Sequence, residues 1–230
     1  MIKFFAPLMV FFIAAQVLVA QQAETEAMPI EEIERKDQLM IDFNYENFVN
    51  GPSNVDFRWY NRGINVQYLY DIHVVKNRFT IGLGAGFSSQ NYYGNGHLTR
   101  DTLADGGLGA VWDTRDQDYT NNKVSVNYLE IPLEFRYRSK TNEKGYQWKF
   151  TLGAKYGYLI DIHDKLILDN GDKFKTYNFP DVNDFRYGVV TRIGYGKVNL
   201  TAFYSLQPLF KDGRGQEMNQ ISIGIGIAPF

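Results

Sequence analysis

The groups that could do chemistry in this sequence are few. There is no cysteine, which removes disulfides, thiolate nucleophiles and cysteine-ligated zinc together. His73, His97 and His163 are the only histidines and fall in different stretches. His97 with Ser88 or Ser89 is the one arrangement from which a nucleophile and base could be assembled, and no third group presents itself to orient the imidazole. Asp113, Asp116 and Asp118 in WDTRDQDYTNN, and Asp169 and Asp172 in DNGD, offer carboxylates to a calcium ion. Neither set has EF-hand spacing with its glycine and terminal glutamate, and DNGD is first a turn signal. GLGAG and GIGI look like fragments of a phosphate loop, but they sit inside alternating strands and open no helix. No G-x-S-x-G or H-E-x-x-H occurs. The expectation is no catalytic residue, no cofactor and no metal.

The chain surrounding these groups has 230 residues, 22% charged, 44% hydrophobic and 16% aromatic, with a formal net charge of -2. That charge supplies no basic field for nucleic acid, which is set aside as a partner. Residues 1–20, MIKFFAPLMVFFIAAQVLVA, place one lysine ahead of an apolar stretch broken by Pro7 and Gln16 and closed by Ala20. They read as a cleavable secretory signal. Residues 21–38 carry six acids against two bases and read as an acidic, solvated leader on the periplasmic side. Residues 39–230 are then a single domain.

In that domain the hydrophobic period is two throughout. Apolar and polar or small residues alternate from Leu39, Ile64, Phe79, Leu129, Trp148, Phe185, Val198 and Ile221 onward. No helical period of comparable length interrupts them, so the fold is all-β with eight strands. Two closed solutions exist. A lipocalin-type soluble barrel turns its apolar face inward around a ligand, whereas a membrane barrel turns it outward into lipid.

Four observations choose the second. Connections alternate between short (HVVKN, SKTNEKG, GYGK) and long (50–62, 89–123, 161–184, 208–219), as in membrane barrels with short periplasmic turns and longer extracellular loops. The aromatics sort into two levels: Tyr70, Phe79, Tyr137, Trp148, Tyr195 and Phe230 near the periplasmic ends, and Tyr45, Phe87, Tyr128, Tyr158, Phe185, Tyr187 and Tyr204 near the outer ends. Two such girdles belong at two lipid interfaces. The opposite face carries Asp42, Glu46, Glu130, Glu134, Arg136, Lys149, Lys155, Arg186 and Arg192, which predicts a lumen filled by paired charges. Strands of about 9 to 11 residues also suit a tilted crossing. The fourth strand changes parity at Tyr128-Leu129 and contains Pro132, which predicts a β-bulge near Tyr128 to Pro132.

YLEIPLEFRYR, GVVTRIGYGKVNLTAFYSLQPLF and ISIGIGIAPF resemble the PorT-like outer membrane β-barrel family of Bacteroidota over about residues 39–230. The resemblance implies an eight-stranded antiparallel up-and-down transmembrane β-barrel in the outer membrane of a Gram-negative bacterium. It implies no catalytic motif. It also implies that the terminal aromatic, Phe230, serves barrel assembly. An unpaired edge on the strand ending the chain would be an aggregation hazard, so that strand is expected to close on the strand beginning at Leu39.

Eight strands enclose a lumen that side chains fill, so function is expected outside it. The expectation is a non-enzymatic accessory or scaffold subunit of an envelope assembly, in protein export or outer-membrane protein assembly. Its partners would be outer-membrane lipid and other envelope proteins, met through the extracellular loops, the leader or the barrel wall. A long loop bearing Asn91-Tyr92-Tyr93 is the foremost contact candidate. The alternatives are a narrow solute or ion transport barrel, an outer-membrane lipid-modifying enzyme built on His97, and a soluble ligand-binding barrel.

Overall fold

The computed structural model describes residues 37–75, 78–103, 106–115, 118–177 and 179–228. The signal and leader readings and Phe230 lie outside these residues. Eleven strands follow in chain order: β1 Asp37–Val49, β2 Arg62–Val75, β3 Phe79–Tyr93, β4 Gly96–Thr102, β5 Leu108–Thr114, β6 Tyr119–Arg138, β7 Trp148–Leu168, β8 Lys173–Tyr177, β9 Phe185–Tyr195, β10 Val198–Ser205 and β11 Asn219–Ile227. Eight of them, β1-β2-β3-β6-β7-β9-β10-β11, pair antiparallel with each neighbour in turn, and β11 returns to β1. Phe43 faces Ile225 and Tyr45 faces Ile223 across that closing seam. A closed ring leaves no barrel stave with an unpaired edge.

Alternation decides which side chains face out. On β9, Phe185, Tyr187, Val189, Thr191, Ile193 and Tyr195 are exposed while Arg186, Gly188, Val190, Arg192 and Gly194 are buried. The same inversion, apolar out and polar in, runs through β2, β6 and β11, as a lipid solvent requires. Short turns close one end. At Gly196-Lys197 the chain reverses between Tyr195 and Val198, and Gly196 takes φ +61, a conformation that costs a residue with a Cβ. In the β6–β7 turn, Asn142 Oδ1 accepts from the amides of Lys144 (3.0 Å) and Tyr146 (2.8 Å).

Three sequence expectations need correction. The long connections contain strands of their own: β4 and β5 form a hairpin, and β8 extends the sheet from the upper half of β7. These pieces are short and mixed in polarity, so their order depends on packing that no local pattern displays. Asn91, Tyr92 and Tyr93 are the end of β3, paired with β6, and not a loop. The bulge lies at the Tyr128 edge of the expected stretch but on the partner strand. Asn127 opposes Asp161 while Tyr128 opposes Leu159, so the extra residue is Ile160 on β7. Alternation in β6 is unbroken through Tyr128, and Pro132 sits in register opposite Lys155.

Candidate functional site

The lumen is a column of charge pairs joined across the barrel. At the periplasmic end, Arg136 Nη1 donates to Asp71 (2.6 Å) and Nη2 to Glu134 (2.7 Å), while Arg138 also pairs with Asp71. Above it, Arg192 bridges Glu134 (2.6 Å) and Asp42 (2.7 Å). Next, Glu130 accepts from Arg186 (2.5 Å) and Lys155 (3.2 Å). Arg186 also lies 3.8 Å over the Tyr128 ring and 5.0 Å from that of Phe203. Nearest the outer mouth, Glu46 accepts from Ser222 (2.5 Å) and Gln90 (3.1 Å), and Gln220 donates to Gln90 (2.8 Å) and Tyr92 (3.2 Å). Glycines at Gly84, Gly153, Gly188 and Gly224 make room at points where an added Cβ would come within 2.5 Å of a backbone oxygen on the adjacent strand. Among the predicted lumen charges, Lys149 forms no ion pair among the described residues. Asp71 and Arg138 join the column without having been expected there, although each is in phase with polar neighbours, Asn65 and Gln67 for the first and Arg136 for the second.

Tyr128 is the one misplaced girdle residue: it is 1% exposed and points inward, because it shares phase with Glu130 and Glu134. The other described girdle aromatics are exposed on the outer wall. At the periplasmic level they touch ring to ring, Phe79–Tyr137 at 5.0 Å and Trp148–Tyr195 at 5.1 Å. At the outer level Tyr158 meets Phe185 at 5.3 Å.

Over the outer mouth the four long connections build a second, apolar core. Phe48, Val55, Leu98, Trp112, Val182, Leu209, Phe210 and Met218 pack with Tyr92, Val126 and Tyr128 of the wall. Phe48 stacks on Tyr92 at 4.1 Å, and Trp112 meets Phe57 edge-on at 5.3 Å. Backbone bridges Phe57 to Gly94, Ala110 to Gly215 and Val182 to Phe210 tie the connections together. The cap is therefore a packed lid on a filled barrel. Beside it a cavity of about 320 Å³ is lined by Arg115, Asp164, Leu166, Leu168, Phe174 and Thr176. Arg115 pairs with Asp164 there, and burial holds the Asp164 carboxyl above its ordinary value while Arg115 pulls it down.

The catalytic and metal candidates do not converge. Ser88 Oγ faces the lumen and accepts from Arg186 (2.9 Å). Ser89 follows on the opposite face of β3, and His97 lies in the β4–β5 hairpin opposite Asp113. Asp113 accepts from the amide of Thr114 (2.8 Å), Asp169 from Thr120 (2.9 Å) and Asp172 from Asn170 (2.8 Å). Asp116 lies outside the described residues. Among the described residues no three acidic or imidazole side chains gather into a metal-binding group.

Comparison with known proteins bears on the whole barrel. The model of the family described as outer membrane protein beta-barrel domain matches residues 20–215. No curated protein matches the chain significantly. The solved structure of Ail, the attachment invasion locus protein of Yersinia pestis, is similar at 12% identity and TM-score 0.35, with 84% of this chain and 95% of Ail covered. The Ail complex with the heparin analogue sucrose octasulfate gives the same figures. A likeness so distant carries no argument about function.

Proposed function

The chain belongs to the family of the outer membrane protein beta-barrel domain, and from that premise we propose that it is a non-enzymatic accessory or scaffold subunit of an envelope assembly, in protein export or outer-membrane protein assembly. The finer PorT-like membership is part of the same proposal. The observation that carries the reading is the double closure of the barrel. Paired charges fill the lumen and an apolar core seals its outer mouth, which leaves only outward surfaces to act. The connection between β1 and β2 presents Trp59, 83% exposed with Tyr60 set edge-on at 5.7 Å. An exposed tryptophan on a tied-down loop is a candidate anchor for a partner protein. The strand β8 adds an exposed edge carrying Phe174 and Tyr177.

Photo-crosslinkers placed at Trp59 and Tyr177 in intact cells test the proposal. Crosslinks to a recurring envelope protein at one or both positions are expected. Bare lipid adducts only, together with copurification of the protein alone from mild detergent, would rule out the scaffold role.

A further inference from the structure

The outer wall carries a second charge pattern, opposite in character to the lumen. On β6, β7 and β8, Lys123 lies directly across from Lys165, and Lys165 directly across from Lys175. On the other side Lys123 faces Tyr93 of β3, and Asn91, one outward position below Tyr93, faces Arg62 of β2. Like charges directly opposite each other in a sheet are destabilising. Yet none of Arg58, Arg62, Lys123, Lys165 and Lys175 forms an ion pair among the described residues, whereas Arg136, Arg186 and Arg192 in the lumen each hold a carboxylate. Asp161, below this level, is occupied by His163 (2.6 Å) and Asn127 (3.0 Å), and Asp169, above it, by Thr120 (2.9 Å). The ammonium of Lys123 is held below the usual lysine range by burial first, and further by Lys165, Arg62 and Lys175.

Aromatic rings organise these cations. Tyr93 lies between Arg62 (5.3 Å from the ring centre) and Lys123 (5.6 Å). A pocket of about 160 Å³ opens beside it, lined by Arg58, Tyr60, Arg62, Tyr93, Tyr119 and Asn121 among others, with no carboxylate in its wall. Lys175 lies on an edge strand, where lysine deters strand pairing. That reason does not reach Lys123 and Lys165, whose strands are paired on both sides at these positions.

Height identifies the partner. The last outward aliphatics below the band are Ile64 on β2 and Leu129 on β6, respectively two and six residues from Arg62 and Lys123. At about 3.3 Å per residue and roughly 40° of tilt the cations stand about 5 to 15 Å above the hydrocarbon edge. In the outer leaflet of an outer membrane that is the level of sugar phosphates. We propose that Arg62, Lys123, Lys165 and Lys175, with the Arg58–Tyr93 pocket beside them, bind the phosphorylated saccharide headgroup of an outer-leaflet glycolipid.

The full protein refolded into vesicles tests this. Lipopolysaccharide in the vesicles should raise the unfolding midpoint above that in vesicles with phosphatidylglycerol at matched charge, and dephosphorylated lipopolysaccharide should not. The triple variant Lys123→Gln, Lys165→Gln, Lys175→Gln should bind lipopolysaccharide roughly a hundredfold more weakly, at the scale of three lost cation contacts near an anionic surface. In glycolipid-free detergent the same variant should stay close to the parent in stability, since the repulsion it sheds among three lysines offsets the loss of the Lys123 contacts with Tyr93 and Asn91. That readout separates failed binding from failed folding. Arg62→Gln tests the pocket by itself. An equal midpoint shift with phosphatidylglycerol, undiminished binding by the triple variant, or preference for a soluble sulfated polysaccharide in detergent would overturn the assignment.

Discussion

Arg192 shows what a single residue does in this barrel. Its guanidinium is fully buried and bridges Asp42 and Glu134. Arg192→Ala would leave two carboxylates in the lumen short of a partner, at a cost of about 3 to 5 kcal/mol. Lowered denaturant midpoints for the folded barrel in detergent are the expected result. Lys211→Ala, which breaks the exposed 3.5 Å contact with Asp184, should change the midpoint little, since exposed pairs contribute about 0 to 1 kcal/mol. Asp164 gives a pH dependence in the extracellular extension of β7. Burial raises its carboxyl pKa against the pull of Arg115. The folded cap thus binds that proton more tightly than the opened chain, with its ordinary value near 3.9. The resulting stabilisation is full below about pH 4 and is lost as pH rises through the folded value. Arg115→Ala removes the largest opposing charge, so the Asp164 carboxyl resonance should titrate at higher pH than in the parent. A midpoint that moves down would contradict the assigned causes.

At the scale of elements, two features are built from backbone approach and from packing. Gly224 of β11 faces the lumen, where an added Cβ would lie 2.1 Å from the carbonyl oxygen of Phe43 on β1. Gly224→Val should therefore hinder closure of the β1–β11 seam and reduce the compact, heat-modifiable band on gels. Ile223→Val, on the lipid face of the same strand, should leave that band unchanged. The cap depends on Trp112, which is 3% exposed and in ring contact with Phe48 and Phe57. Truncating a buried tryptophan costs about 3 to 5 kcal/mol. Because Trp112 lies above the wall, Trp112→Ala should loosen the β4–β5 hairpin and speed its cleavage by external protease while the barrel stays folded. Simultaneous loss of both would show that cap and barrel form one cooperative unit.

The whole molecule is sealed twice, and a conductance prediction belongs at this scale. Planar bilayers should show no channel for the parent or for Trp112→Ala, since the charge column persists beneath an opened cap. Steady conductance in either would restore the transport reading. The fold class is legible in the amino-acid pattern because a period of two admits only two faces, and loop lengths, ring levels and charges determine which face meets lipid. A strand such as Phe185–Tyr195 carries that information locally, residue by residue. Partnership across the lumen is not legible: Arg192 and Asp42 are 150 positions apart, and only the closure of the ring makes them neighbours. The phase of Tyr128 follows its own strand, in step with Glu130 and Glu134; what stays hidden is the slip at Ile160, since one strand's sequence cannot show which side of a pair carries the extra residue. The cap is hidden for a related reason, since Val55, Trp112, Val182 and Phe210 form a core only when four separate connections meet. Sequence by itself therefore determined the faces, because side-chain direction in a strand is a local property. Tertiary structure alone decided the pairs, the lid and the outer band of cations, because each is made by residues that register brings together from distant parts of the chain.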